Sequence, residues 1–224
     1  MNKWDLLETV LVPGSQTQMS LFKNGQDYSI CVDGKELMNT RMHGSEDSLA
    51  VLGCANLANR QDGTVLVGGL GMGFTAAATL RHVGPKAKIT VAELVPAVEE
   101  WNKEFFGSYA NYPLKDPRIQ VSIADVADVL RNHPNHFDCI LLDVDNGPNG
   151  MTQEKNTWLY WPEGLQVICE SLRPKGVLAI WSAHRDRAFH RRLLQMGFEV
   201  TEHRVSARGS GGGGRHIIWV ATEK

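Results

Sequence analysis

From Val65 onward the chain alternates between short, continuously apolar runs and segments whose apolar positions recur at helical spacing. "TVLVGG" (64–69), "AKITVAEL" (87–94), "RIQVSIAD" (118–125), "HFDCILLDVD" (136–145) and "GVLAIWSA" (176–183) read as strands, the apolar ones covered on both faces. Between them, "FTAAATLRHV" (74–83), "PAVEEWNKEFFG" (96–107), "VADVLRNH" (126–133) and "EGLQVICESLRP" (163–174) read as helices. The second opens on proline and is followed by glycine, as helices often are. Strands that alternate with helices predict a parallel sheet with helices on both sides.

The end of the chain breaks this rhythm. After a helix at 186–197, "FEVTEHRVSAR" (198–208) and "RHIIWVATE" (215–223) follow one another across a glycine-rich turn. Two strands joined so directly predict an antiparallel hairpin. Ahead of Val65, residues 18–40 alternate around Asn24-Gly25 and Asp33-Gly34, which predicts small antiparallel strands. Residues 1–45 are therefore expected to form a β-rich appendage, with "SEDSLAVLGCANLANR" (45–60) as the helix leading into a main domain over 46–224.

Composition narrows the function classes. At 224 residues with 42% hydrophobic and 21% charged residues, the chain can bury a full core. A net charge of −2 gives no overall basic excess for gripping nucleic acid. Cys31, Cys54, Cys139 and Cys169 form no CxxC pair and read as reduced thiols. "HPNH" (133–136) lies in a proline-broken loop, so no metal site is expected. With neither a signal-peptide core nor an apolar run of membrane-spanning length, the expectation is a soluble, cytoplasmic protein with no membrane partner.

The candidate chemistry gathers at the carboxyl ends of the strands. The turn Gly69-Leu70-Gly71-Met72-Gly73 has the G-x-G-x-G pattern, whose glycines let the backbone pass beneath a ligand before a helix N-terminus. The NAD fingerprint would need glycine or alanine at position 74, which is Phe74. Glu93, followed by Leu94, ends the next strand, where a carboxylate can accept ribose hydroxyls. Asp125, followed by Val126, ends the third, where an acid and adjacent N–H can read an adenine edge or simply cap a helix. Asp143, Asp145 and Asn146 end the fourth, placed to take a proton, to grip an ammonium group, or to cap their own turn. Trp158, Tyr160 and Trp161 follow, as walls of an acceptor pocket or as ordinary packing. The basic helix "SAHRDRAFHRR" and the tip "RGSGGGGR" read as a solvated face and a flexible hairpin end.

The segments "VDGKEL", "VLVGGLGMG", "VAELVPAV", "DPRIQVSIADVADVL", "FDCILLDVDNGP" and "SLRPKGVLAIW" together resemble the spermidine synthase-like family, over about residues 30–183. That family belongs to the class I AdoMet-dependent transferases. The resemblance implies a Rossmann-like, seven-stranded class I AdoMet-methyltransferase fold with a C-terminal antiparallel hairpin and a small N-terminal β-domain, often in a homodimer. It implies S-adenosyl-L-methionine (AdoMet) or decarboxylated AdoMet as cofactor. Gly69, Gly71 and Gly73 would form the cofactor turn, Glu93 would hold the ribose, Asp125 would sit at the adenine and Asp143 would activate the acceptor. The family's glycine loop usually carries Asp where Met72 stands, its D-G-x-x-Q has Leu37 in place of Gln, and Asp47-Ser48-Leu49 replaces its Tyr-His-Glu. An acid at position 72 would suit an aminopropyl ammonium and repel the carboxylate of AdoMet, so Met72 favours AdoMet. The leading expectation is methyl transfer to a small-molecule acceptor such as an amine, with Asp143 and Asp145 catalytic. Aminopropyl transfer to putrescine or a similar amine, and non-catalytic binding of an adenosyl ligand, are the alternatives.

Overall fold

The computed structural model describes residues 4–144, 158–208 and 213–223. It contains two sheets. The first is antiparallel, in the order β1-β2-β3-β4, from β1 (Asp5–Leu11), β2 (Gln18–Asn24), β3 (Asp27–Val32) and β4 (Lys35–Asn39). The second comprises β5 (Thr64–Gly68), β6 (Lys88–Glu93), β7 (Ile119–Ile123), β8 (Phe137–Leu142), β9 (Leu172–Ser182), β10 (Phe198–Ser206) and β11 (Arg215–Glu223). Its order is β10-β11-β9-β8-β5-β6-β7. Strands β7, β6, β5, β8 and β9 run parallel, while β11 is antiparallel to both β9 and β10. This is the mixed α/β, Rossmann-like arrangement with the terminal hairpin expected from the alternation of runs. Every residue of β5 and β8 is buried, as their largely apolar sequences require, Thr64 and Asp138 being the polar members.

Helices cover both faces. On one side α1 (Gly44–Gly53), α2 (Phe74–His82) and α3 (Pro96–Trp101) pack with Val65, Val67, Val91 and Leu141. On the other, α4 (Val126–Arg131), α5 (Pro162–Ser171) and α6 (Arg187–Gln195) pack with Leu66, Ile140, Leu178 and Trp219. Consecutive side chains on β5 therefore feed opposite cores, as strand alternation dictates.

Four local features differ from the sequence reading. The strand β1 pairs with β2 although nearly all of it is exposed, so no alternation marks it. The helix expected over 45–60 ends at Gly53, where a Cβ would lie 2.3 Å from Leu141 Cδ2, and a short 3-10 turn, Ala55–Leu57, follows. The helix expected over 96–107 stops at Trp101 and becomes a single π-turn, Asn102–Phe106. The helix expected over 163–174 ends at Ser171, because Leu172 already pairs with Phe137 as the start of β9. A register shift then follows, near Lys175 at positive φ.

The small sheet is fastened to the α3 region. Glu8 accepts a bond from Trp101 Nε1 at 2.6 Å, the Tyr109 hydroxyl donates to the Gln26 carbonyl, and Tyr28 packs among Phe105, Phe106 and Tyr109. Val12, Leu21 and Ile30 join the core beneath α1–α3. These contacts lay the sheet over the carboxyl ends of β5 and β6.

Candidate active site

The turn after β5 is built almost entirely by glycine geometry. Gly69, Gly71 and Gly73 have φ of +90°, +50° and +81°, values that side chains resist. At Gly69 there is also no room, since a Cβ would fall 2.6 Å from the backbone oxygen of Asp143. The turn closes with Gly73 N–H donating to the Leu70 carbonyl at 2.8 Å. Gly73 is the N-cap of α2 and brings no side-chain acceptor, so no side chain caps the first N–H groups of the helix. That end carries partial positive charge and suits an anionic group.

A cavity opens beside this turn. Gly69 and Gly71 floor it, Glu93, Leu94, Asp125 and Val126 line the β6–β7 side, and Asp143 and Val144 line the β8 side. The roof comes from the small sheet: Val12, Thr17, Met19, Ile30, Val32, Leu37 and Met38. Met38 lies so close to the turn that a Cβ on Gly71 would stand 2.6 Å from its Cε. The roof is apolar apart from Thr17, and the sequence carries no periodic signal that places it there.

Each acid of the cavity has a distinct setting. Glu93 is buried and accepts N–H bonds from Leu70 at 3.0 Å and Val95 at 2.8 Å. Burial raises its carboxyl above the ordinary range, and backbone donors oppose the rise. Asp125 caps α4 by accepting from Ala127 N at 2.8 Å while lining the cavity, so the capping and cavity readings hold together. Asp143 accepts one side-chain bond, from Thr75 Oγ1 at 2.7 Å. Burial pushes its carboxyl upward, and the Thr75 bond only partly offsets this.

Glu46, in the first turn of α1, is a residue the sequence reading passed over. It accepts from Ser45 Oγ at 2.6 Å, and burial together with the charge of Asp143 raises it from 4.5 to about 7. Beside it, the His43 ring stacks on Phe74 with centroids 4.3 Å apart. Thr75 was likewise invisible, because its role depends on where α2 points rather than on a motif.

Other sequence candidates stand elsewhere. Leu70 and Met72 are buried, and Met72 packs into the core, so the turn presents backbone and no acid at position 72. Tyr160 is buried against Phe189 and donates to the Val144 carbonyl at 3.1 Å. Trp158 meets the Arg131 guanidinium at 4.4 Å, and Trp161 is exposed at the start of α5. None of these three lines the described cavity; Tyr160 and Trp158 pack with the core on the α4–α6 side of the sheet. Asp145 and Asn146 lie outside the described residues, as does most of the glycine-rich hairpin tip. Among the described residues, no histidine, cysteine and acid cluster could hold a metal ion. No helix there is long and apolar enough to cross a membrane.

Over residues 47–195 the sequence matches the family described as Spermine/spermidine synthase domain. The chain belongs to that family. It is 34% identical over 136 residues to the eEF1A lysine and N-terminal methyltransferase homolog of Drosophila melanogaster. That match covers 58% of this chain but 19% of the relative, so the chain spans about a fifth of that protein's length. The fold is also that of solved spermidine synthases. The enzyme from Thermotoga maritima superposes with a TM-score of 0.76 at 18% identity, covering 98% of this chain and 73% of that one. A spermidine synthase in complex with the transition state analogue AdoDATO gives 0.77 at 19%, covering 98% and 74%. In this spermidine synthase-like family the cofactor is AdoMet or the decarboxylated form. The residues present suit such a group: three positive-φ glycines leave a cradle that side chains would fill, an uncapped helix N-terminus borders it, and two acids stand at the neighbouring strand ends.

Proposed function

We propose that the protein transfers the methyl group of AdoMet to a small-molecule acceptor, with an amine as the first class to try. The observation that carries this reading is Asp143: a carboxyl at the cavity wall, beside the glycine turn, with a single hydroxyl partner and no cation paired to it among the described residues. Such a group is free to orient a nucleophile and accept its proton.

When bound, AdoMet supplies a methyl carbon activated by its sulfonium. Gly71, Gly73 and the α2 N-terminus would hold its carboxylate through backbone N–H groups. Glu93 would take the ribose hydroxyls and Asp125, with Val126, the adenine edge. Asp143 would point the acceptor's lone pair at the methyl carbon and receive the proton that the nucleophile sheds. The apolar roof of Met19, Ile30 and Met38 would keep water from the reacting atoms. Alignment supplies most of the acceleration in such a displacement.

Methyl transfer is favoured over aminopropyl transfer by Met72, which leaves the turn without the acid that an aminopropyl ammonium would seek, and by the methyltransferase among the relatives. Aminopropyl transfer draws its support from the family's name and the two spermidine synthase structures. The by-product separates them. Incubation with AdoMet, with decarboxylated AdoMet and a panel of small amines should release S-adenosylhomocysteine. Release of methylthioadenosine instead would establish aminopropyl transfer, and neither product with any amine would leave a binding protein.

A further inference from the structure

Where α3 gives way to the π-turn, the first residue is Asn102, 2% exposed. Its Nδ2 donates to two carbonyls, Val98 at 2.9 Å and Gly71 at 2.7 Å. The first bond is local to the helix. The second runs 31 residues back, into the middle of the cofactor turn. The other atom of the same amide, Oδ1, is buried without a hydrogen-bond partner. It sits 2.8 Å from the point a Cβ on Gly73 would occupy. The amide is thus wedged between alternate glycines, holding Gly71 by donation and lying against Gly73 through a contact that only glycine permits. Exchanging its oxygen and nitrogen would aim an acceptor at two carbonyls, so the orientation is fixed. Asn102 itself keeps helical backbone angles and its N–H still bonds the Val98 carbonyl, so the end of α3 places this side chain beneath the turn just before the helix widens.

We propose that Asn102 is a positioning residue of the cofactor site. By drawing the Gly71 carbonyl toward α3, it sets the orientation of the turn, so that N–H groups rather than carbonyls meet the amino-acid end of the cofactor. The adenosine end would lie with Glu93 and Asp125, whereas the side-chain donors of Asn102 go to Gly71 and Val98. The proposal rests on the AdoMet reading given above and adds a residue that no glycine motif includes. It also accounts for the buried Oδ1, which is costly to leave unpaired: a shape that serves the donor atom strands the acceptor.

The test compares two ligands that share the adenosine half. S-adenosylhomocysteine carries the amino-acid end, and methylthioadenosine lacks it. Calorimetric titration of both is run on the wild-type chain, Asn102→Ala and Asn102→Asp, with thermal unfolding of each. Loss of the tether should weaken S-adenosylhomocysteine about tenfold, the scale of one net hydrogen bond, and leave methylthioadenosine nearly unchanged. Equal weakening of both ligands, or of neither, overturns the proposal. Should Asn102→Ala not fold, Asn102→Asp decides, since it keeps the shape and removes both donors. If that variant also fails to fold, Asn102 is a packing residue and the proposal falls. A wild-type chain that binds neither ligand would overturn the adenosyl reading itself, a result distinct from any of these.

Discussion

Asp138 and Asp143 stand at opposite ends of β8, and the chain treats them in opposite ways. Asp138, near the amino end, accepts from Arg60 and Arg173 at 2.9 Å each and from Thr64 N at 2.8 Å. Burial pushes its carboxyl up, but the Thr64 N–H and the two guanidinium groups outweigh that and hold it below the ordinary range. Asp143 has burial without a paired cation among the described residues, and its carboxyl rises. Saturating an acid's partners makes it a bracket for the fold. Leaving it one hydroxyl keeps it available to a ligand. On the proposed reading, the amino end of the sheet serves stability and the carboxyl end serves chemistry.

Substitutions should separate the two ends. The largest effect is expected from Asp143→Asn, which should cut turnover about a hundredfold or more, while AdoMet binding, read by calorimetry, and stability change little. Full activity in that variant would remove Asp143 from the mechanism. Asp138→Ala should do the reverse. It leaves the buried Thr64 N–H without its acceptor and frees two half-exposed guanidinium groups, so urea unfolding should show a loss of about 2 kcal/mol, with unaltered turnover per folded molecule.

Glu46 sharpens the comparison through pH. Its carboxyl is raised from 4.5 to about 7 by burial and by Asp143, so the folded state binds more protons than the unfolded state across that interval. Stability should therefore fall as pH rises from about 4.5 to 7. Asp138, held low, adds stability above the unfolded carboxylate range that is lost only in acid. Glu46→Gln should flatten the decline in a series of melts between pH 4.5 and 7. An unchanged slope would mean Glu46 does not titrate there.

The smallest expected effects concern the glycines. At both Gly69 and Gly71, alanine costs about 1–2 kcal/mol of backbone strain. At Gly69 the new Cβ meets the Asp143 backbone, whereas at Gly71 it meets the free end of Met38. Gly69→Ala should therefore weaken AdoMet binding more than Gly71→Ala, by calorimetry.

Much of this was legible in the sequence because it rests on local signals. The run "TVLVGG" announced a central strand, the three glycines announced a turn, and Glu93, Asp125 and Asp143 were marked by ending strands. The roof was not legible. Met19 and Ile30 read as ordinary alternating strand residues, Val12 lies ahead of that alternation, and nothing in the period says which sheet end they cover. Glu46 and Thr75 come to Asp143 only through the packing of α1 on α2, and Asn102 reaches Gly71 across 31 residues of sequence. Aromatic residues were ambiguous for the opposite reason: Trp158 and Tyr160 carry the same composition signal whether they face a ligand or a core.

The central claim is that the site is made for AdoMet, with its carboxylate on the glycine turn and no acid at position 72. Side-by-side calorimetric titration with AdoMet and with decarboxylated AdoMet tests it most directly. The account predicts clearly tighter binding of AdoMet. A clear preference for the decarboxylated form would contradict it and make aminopropyl transfer the reaction of this chain.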